Sequence, residues 1–169
     1  MSEQDQNGIE FESDDFDFSD IEEEVRVDER CLALLNRFHQ QLLSGGRIPE
    51  EASELAYSAD YYLRNYLLDF ARQNVVRPKP GIVRRFAATW FITHTLDPEM
   101  RILECHLQSI REFYRFLHGQ HFISAEELAY IEDEAGQTEY YRKRIESFLA
   151  IVNDAYIAWE AECPLRSDA

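Results

Sequence analysis

The residues that could ligate a metal or perform covalent chemistry are few and form no recognisable group. His118 and His121 lie at a predicted helix end, and the sequence offers no second cluster to complete the four ligands that a zinc site usually has. Cys31, Cys105 and Cys163 include no Cys-x-x-Cys pair, and the first two fall in apolar helical patterns that predict buried side chains. The sequence therefore predicts no metal, no cofactor and no disulfide framework.

Carboxylates are abundant, but they are scattered along the chain. The run Glu132-Asp133-Glu134 near a predicted helix end is typical of a solvated face and not of a general acid-base pair. Motifs of P-loop nucleotide-binding proteins, dinucleotide-binding proteins, serine hydrolases and zinc proteases are absent from the sequence. We therefore expect a protein that is not an enzyme.

The clearest candidate for binding chemistry is a basic stretch without acids. Residues 70–96 contain no Asp or Glu. Their five basic residues are Arg72, Arg77, Lys79, Arg84 and Arg85. If the side chains converge beside a helix N-terminus, they form a site for phosphate, carboxylate or nucleic acid. The alternative is that each basic residue pairs with a surface carboxylate elsewhere in the fold.

An acidic segment with aromatic residues precedes the first predicted helix. The chain carries a formal net charge of -16, and residues 1–25 hold eleven acidic residues and no basic one. Residues 1–18 lack helical periodicity, which predicts a disordered acidic tail. Phe11, Phe16 and Phe18 are spaced through its acids, as in segments that dock on a partner's basic or apolar surface. The alternative is a tail that only increases solubility.

Apolar stripes at helical spacing predict that residues 19–169 form a single all-α domain, a compact bundle of about six helices with short loops. Start and stop signals set the predicted bounds. The six helices are predicted to begin near Ser19, at Pro49, near Gly81, at Asp97-Pro98, at Ser124 and near Thr138, and the last to end near Glu162. Trp90 and Phe113 lie in these stripes and are predicted core residues.

The stretch from about Tyr61 to Glu134 resembles the helical core-binding, or SAM-like, domain of tyrosine recombinases and phage integrases. The residues that carry the resemblance are Tyr62, Leu63, Tyr66, Leu67 and Phe70, then Val83, Phe86 and Trp90, then Leu107, Ser109, Ile110, Arg111, Phe113, Tyr114, Phe116 and Leu117. The resemblance implies a helical fold and an association with DNA. Recombinase activity is not expected, because the chain has no room for the separate catalytic domain of that family.

These observations favour a non-enzymatic interaction or adaptor module that binds a protein partner. The alternative is a DNA-associated regulatory domain that uses the basic residues and is modulated by the acidic tail, whose Asp14, Asp15 and Asp17 would fold back on them. The acidic balance makes a nucleic acid the less favoured partner. No apolar run approaches the roughly 20 residues of a membrane span, and Met1–Glu10 do not resemble a signal peptide, so we expect a cytoplasmic protein without a membrane partner.

Overall fold

The computed structural model describes residues 11–166, and all regular secondary structure within that range is helical. The predicted all-α class is therefore confirmed. The elements, in chain order, are a 3-10 turn (Ser13–Phe16), α1 (Ile21–Ser44), α2 (Pro49–Asp60), a first π-helix (Tyr61–Ala71), α3 (Ile82–Arg85), a second π-helix (Phe86–Trp90), α4 (Phe91–Thr93), α5 (Met100–Gly119), α6 (Ala125–Ala135), α7 (Thr138–Leu149) and α8 (Tyr156–Ala161).

Helix α1 begins two residues later than the predicted start at Ser19. Its N-cap is Asp20, whose Oδ1 accepts a hydrogen bond of 2.8 Å from the Glu23 amide. The Glu23 carboxylate in turn accepts hydrogen bonds from the amide and hydroxyl of Ser19. Aspartate caps as well as serine does, and its charge also interacts favourably with the positive end of the helix dipole.

Helix α2 starts with Pro49 at its first position, as predicted, and runs without a break into the first π-helix. The first π-helix ends before Arg72, its C-cap, which has left-handed backbone angles (φ 57°). Tyr66 lies on the buried side of this π-helix and donates a hydrogen bond of 3.1 Å to the Ile82 carbonyl. The first π-helix is thereby tied to the start of α3.

The predicted third helix is present as α3, the second π-helix and α4 in direct succession. The fourth begins at Met100 with Glu99 as its N-cap, so the prediction of a cap at Asp97 is wrong. The capping box at Ser124 is confirmed: the Ser124 hydroxyl accepts from the Glu127 amide, and the Glu127 carboxylate accepts from the Ser124 amide.

The predicted sixth helix is divided. It is interrupted between α7 and α8, where Asn153 takes a left-handed conformation (φ 57°), so the prediction of one helix to Glu162 is wrong. Arg144 of α7 connects α8 to the second π-helix. Its side chain is 2% exposed and donates hydrogen bonds to the carbonyls of Ala88 and Trp159. Its guanidinium also lies over the Trp159 ring.

Aromatic and aliphatic side chains from the helices meet in one core. Trp90 and Phe113 are both buried, which confirms their prediction as core residues. The Phe113 ring packs edge to face on Phe38 with centroids 5.3 Å apart, and this contact joins α5 to α1. Such contacts fix the positions of α1, α2 and α5, on which the surfaces described below depend.

Candidate protein-interaction surfaces

The segment from Phe11 to Phe18 packs against the helices. Phe16 is 0% exposed and belongs to the main core, and Phe11 and Phe18 are half-buried against it. The Phe16 ring meets those of Phe11 and Phe122 edge to face, with centroids 5.9 and 6.1 Å apart. The prediction of a disordered tail therefore does not hold for residues 11–18, because three aromatic rings pack on the core and together contribute against the entropy lost on ordering. Residues 1–10 lie outside the described residues.

Polar contacts hold the backbone of this segment. The side-chain amide of Asn74 donates to the Ser13 carbonyl at 2.9 Å and to the Asp17 carboxylate at 2.8 Å. The Arg30 guanidinium donates to the Asp15 carbonyl. We call the residues that contact the segment, Arg30, Arg72, Asn74, Arg77 and Phe122, the clip site, and residues 11–18 the clip.

Two of the five predicted binding residues belong to the clip site. Arg77 pairs with Asp14 and Asp17, and these carboxylates raise the pKa of its guanidinium. Arg72 pairs with Glu24 at 2.8 Å and lies over the Phe18 ring. The two arginines thus face carboxylates and an aromatic ring of the same chain.

The start of α3 also has an internal anion. Glu134 of α6 is buried, and its two carboxylate oxygens accept hydrogen bonds of 2.9 Å from the amides of Gly81 and Arg84. The Arg84 side chain donates to Gln137. Glu134 therefore occupies the position where the sequence predicts an external anion.

The remaining two predicted residues make fewer contacts. Lys79 is exposed, and the Arg85 guanidinium is half-buried beside Gly81. Among the described residues, neither has a carboxylate within 4.0 Å. Of the five predicted basic residues, Arg72, Arg77 and Arg84 thus form ion pairs or hydrogen bonds with side chains of the described residues. Lys79 and Arg85 form no such ion pair there.

The cysteines and the buried histidine lie in different environments. Cys31 is buried as predicted, and burial raises its pKa to about 12, whereas Cys105 is exposed and its predicted burial is wrong. His106 is buried against Tyr61, with ring centroids 5.0 Å apart, and burial lowers its pKa to about 4. Within residues 11–166, no three His, Cys, Asp or Glu side chains are grouped as metal ligands.

A surface that the sequence analysis did not identify lies along α1. Two depressions of about 450 and 600 Å³ follow this helix on the side of α2 and the first π-helix, and we call them together the α1 groove. The α1 side of the groove includes Ile21, Val25, Asp28, Leu32, Leu35 and His39. Their spacing alternates between four and three residues, as in the seam of a coiled coil. This second apolar stripe is visible in the sequence beside the core stripe of α1.

The opposite side of the groove mixes small, aromatic and charged residues. Ser53, Ala56 and Tyr57 of α2 line one depression, and Arg64 and Leu68 of the first π-helix line the other. Ile21 is 79% exposed and Tyr57 73% exposed. The groove therefore presents large apolar side chains to solvent.

Acidic residues surround these apolar side chains. Among the described residues, Arg64 is the only Lys or Arg that lines the two depressions, and it pairs with Asp28 at 2.8 Å and with Asp60 at 3.2 Å. These carboxylates raise the pKa of Arg64. Glu29 and Asp69 also line the groove and are exposed, and within the described part of the chain they have no basic partner within 4.0 Å. The groove is therefore both apolar and acidic.

A second apolar surface follows α7. Leu149, Val152, Tyr156 and Ile157 are exposed within nine residues of one another. They lie next to a concavity of about 580 Å³ whose lining includes Trp159. The exposed apolar residues are thus concentrated in two regions, the α1 groove and this C-terminal corner.

Comparisons with family models, with curated proteins and with solved structures found no match for this chain. The resemblance to recombinase core-binding domains therefore stays a prediction. Across residues 11–166, every helix is too short or too polar to cross a membrane.

Proposed function

We propose that this protein is a non-enzymatic interaction module that binds another protein through the α1 groove. The observation that carries the proposal is the row of exposed apolar side chains along the groove, which includes Ile21, Val25, Leu32 and Tyr57. Contiguous apolar patches on a protein surface mark interaction sites, whereas single exposed apolar residues need no explanation.

The shape of the groove favours a protein over a small molecule. Small-molecule pockets are concave and bury most of the ligand's surface. In the α1 groove Ile21, Val25, Leu32 and Tyr57 are 44–79% exposed, whereas Leu35 and Leu68 are buried, and the lining extends along α1 from Ile21 to His39. A helical rise of 1.5 Å per residue makes this distance about 27 Å, which suits an extended partner surface.

The alternative of a DNA-associated domain has less support. Phosphate binding needs basic side chains that are available to the nucleic acid. Arg77 and Arg72 instead pair with Asp14, Asp17 and Glu24.

The experiment compares two double variants with matched chemistry. Val25→Asn with Tyr57→Asn changes the groove, and Ile48→Asn with Leu96→Asn changes two exposed apolar residues that line neither depression. Each purified protein carries a photo-crosslinker and is incubated with extract of its source cells, and crosslinked proteins are quantified by mass spectrometry. We expect one or more specific partners whose yield falls at least about tenfold with the groove variant and less than about twofold with the control. Equal yields for the two variants would refute the groove as the binding site.

A further inference from the structure

We infer that the occupant of the α1 groove is an amphipathic helix of a partner protein, with an apolar stripe flanked by Lys and Arg. This inference rests on the proposed function, and it adds the secondary structure and the charge of the partner. It is carried by the spacing of the groove residues and by the acidic residues around them.

The spacing on α1 favours a helix as the occupant. Residues repeated at alternating intervals of four and three lie on one face of a helix, and this is the face that a second helix contacts in a coiled coil. On α1 the stripe from Ile21 to His39 has this spacing throughout, and all of its members line the groove. A helix of about 18 residues would follow the whole stripe.

The opposite side allows such a helix to approach closely. Ser53 and Ala56 are small, so the backbone of α2 leaves space beside Leu32 and Leu35. Tyr57 adjoins this space and can cover one side of the incoming helix. The docked helix would be the third member of a group formed with α1 and the helix that continues from α2.

One polar position interrupts the interior of the apolar stripe, which ends at His39. Asp28 occupies it, and Asp28 is joined to Arg64 and through Arg64 to Asp60. A single polar residue in such a seam is a known means of setting the register of the paired helices. A polar or basic side chain of the partner at this level would meet the carboxylates of Asp28 and Asp60.

The charge of the groove selects a basic partner. Arg64 is already paired with two carboxylates, and Glu29 and Asp69 add exposed negative charge beside the apolar residues. Lys and Arg flanking the apolar stripe of a helix complement this arrangement, and complementary charge steers association. The clip does not provide such an occupant, because it is acidic and fills its own site.

A second copy of the chain is disfavoured as the occupant by the same charges. Each copy has a formal net charge of -16, and the stripe on α1 is itself flanked by acidic residues. Pairing two such faces would place carboxylates opposite carboxylates, which lowers affinity. Self-association is therefore an outcome that would contradict the inference.

The test uses two designed peptides and the full-length protein. Both peptides have 18 residues and the same leucines at alternating four- and three-residue spacing, and their flanking positions carry Lys and Arg in one and Glu in the other. Binding is measured by fluorescence anisotropy in low and high salt, and the site is mapped by amide chemical shifts. We expect the basic peptide to bind at least about tenfold more tightly than the acidic one, to shift amides of α1 and α2, and to weaken in high salt.

Two variants with the same change in net charge locate the effect. Glu29→Lys with Asp69→Lys reverses exposed charges of the groove, and Glu146→Lys with Asp154→Lys reverses exposed charges outside it. We expect the first variant to weaken binding of the basic peptide about tenfold and the second by less than about twofold. Equal weakening by both variants, equal affinity for both peptides, binding of neither peptide, or concentration-dependent dimers in sedimentation would overturn the inference.

The two proposals fail separately. If the peptides do not bind as expected but Val25→Asn with Tyr57→Asn still abolishes crosslinking to a partner, the groove binds a protein of another kind. If that variant leaves crosslinking unchanged, the proposed function itself is wrong.

Discussion

The clip site and the α1 groove present opposite chemistry, although both involve the first turns of α1. The clip site supplies the basic side chains of Arg30, Arg72 and Arg77, and the chain fills it with its own acidic and aromatic residues. The α1 groove supplies acidic and apolar side chains, and no segment among residues 11–166 covers it.

Charge and exposure together decide what a surface of this protein can bind. Five basic residues in an acid-free stretch are conspicuous in the sequence, yet three of them contact other groups of the chain. The groove stripe of α1 is visible in the sequence, but the sequence does not show that Ile21, Val25 and Leu32 remain exposed in the fold. Three experiments test the difference between the filled site and the open one, and a fourth concerns a buried histidine that belongs to neither.

The largest effect is expected at the centre of the clip. Phe16→Ala removes a ring that is completely buried, and truncating a buried phenylalanine typically costs about 3–5 kcal/mol. The free energy of unfolding in urea should fall by this amount, and Leu96→Ala, at a fully exposed position, should leave it nearly unchanged. A loss below about 1 kcal/mol for Phe16→Ala would mean that the clip is not part of the core.

The next effect is a loss of stability in acid that originates away from both surfaces. The pKa of His106 is lowered from 6.5 to about 4 by burial, so the unfolded chain binds more protons than the folded one between these values. The contribution of neutral His106 to the free energy of unfolding is therefore fully present above pH 6.5. It is lost as the pH falls towards 4, which lowers the free energy of unfolding by about 1–3 kcal/mol. His106→Phe should flatten this part of the curve of unfolding free energy against pH. An unchanged slope between pH 6.5 and 4.5 would assign the effect to other groups.

The helices were largely predictable from the sequence because their signals are local. The stripes of α1, α2 and α5, the proline at the start of α2 and the capping box at Ser124 all act within a few residues. The division of the last helix was missed because Tyr156 and Trp159 continue the stripe of α7 at helical spacing. A stripe alone does not show that the chain turns at Asn153.

The surfaces were harder to predict because they depend on contacts between distant parts of the chain. Asp14 and Asp17 meet Arg77 about 60 residues away, and Glu134 meets the amides of Gly81 and Arg84 about 50 residues away. Nothing in the local sequence shows which basic residue has found a partner. For the same reason, the second stripe of α1 did not indicate whether another helix of the chain covers it.

A smaller change in the free energy of unfolding is expected for the groove variant. This small change distinguishes the groove from the clip. Val25→Asn with Tyr57→Asn replaces exposed apolar side chains, so the free energy of unfolding should change by less than about 0.5 kcal/mol while crosslinking to a partner falls. Phe16→Ala should instead lower the free energy of unfolding and leave crosslinking unchanged at temperatures where the variant remains folded. If the groove variant instead unfolds in much less urea, its residues support the fold and the distinction between the two regions fails.

The smallest effect concerns the ion pairs at the edge of the clip. Arg77→Gln removes contacts with Asp14 and Asp17, all three of which are exposed, and pairs at such positions contribute little because water and salt screen them. The urea midpoint should fall slightly in low salt, far less than for Phe16→Ala, and should equal that of the unmodified protein at about 0.5 M salt. The substitution leaves Asn74 as the remaining partner of Asp17 and removes the partner of Asp14, so the clip is held less firmly and hydrogen exchange of the amides of residues 13–17 should rise in low salt. An effect that persists in high salt would contradict an electrostatic role of Arg77. If instead Arg77→Gln is as destabilising as Phe16→Ala in low salt and the loss disappears in high salt, charge and not the buried ring holds the clip in place. The clip would then be an electrostatic contact that other anions can displace, and the alternative of a regulated basic surface would regain support.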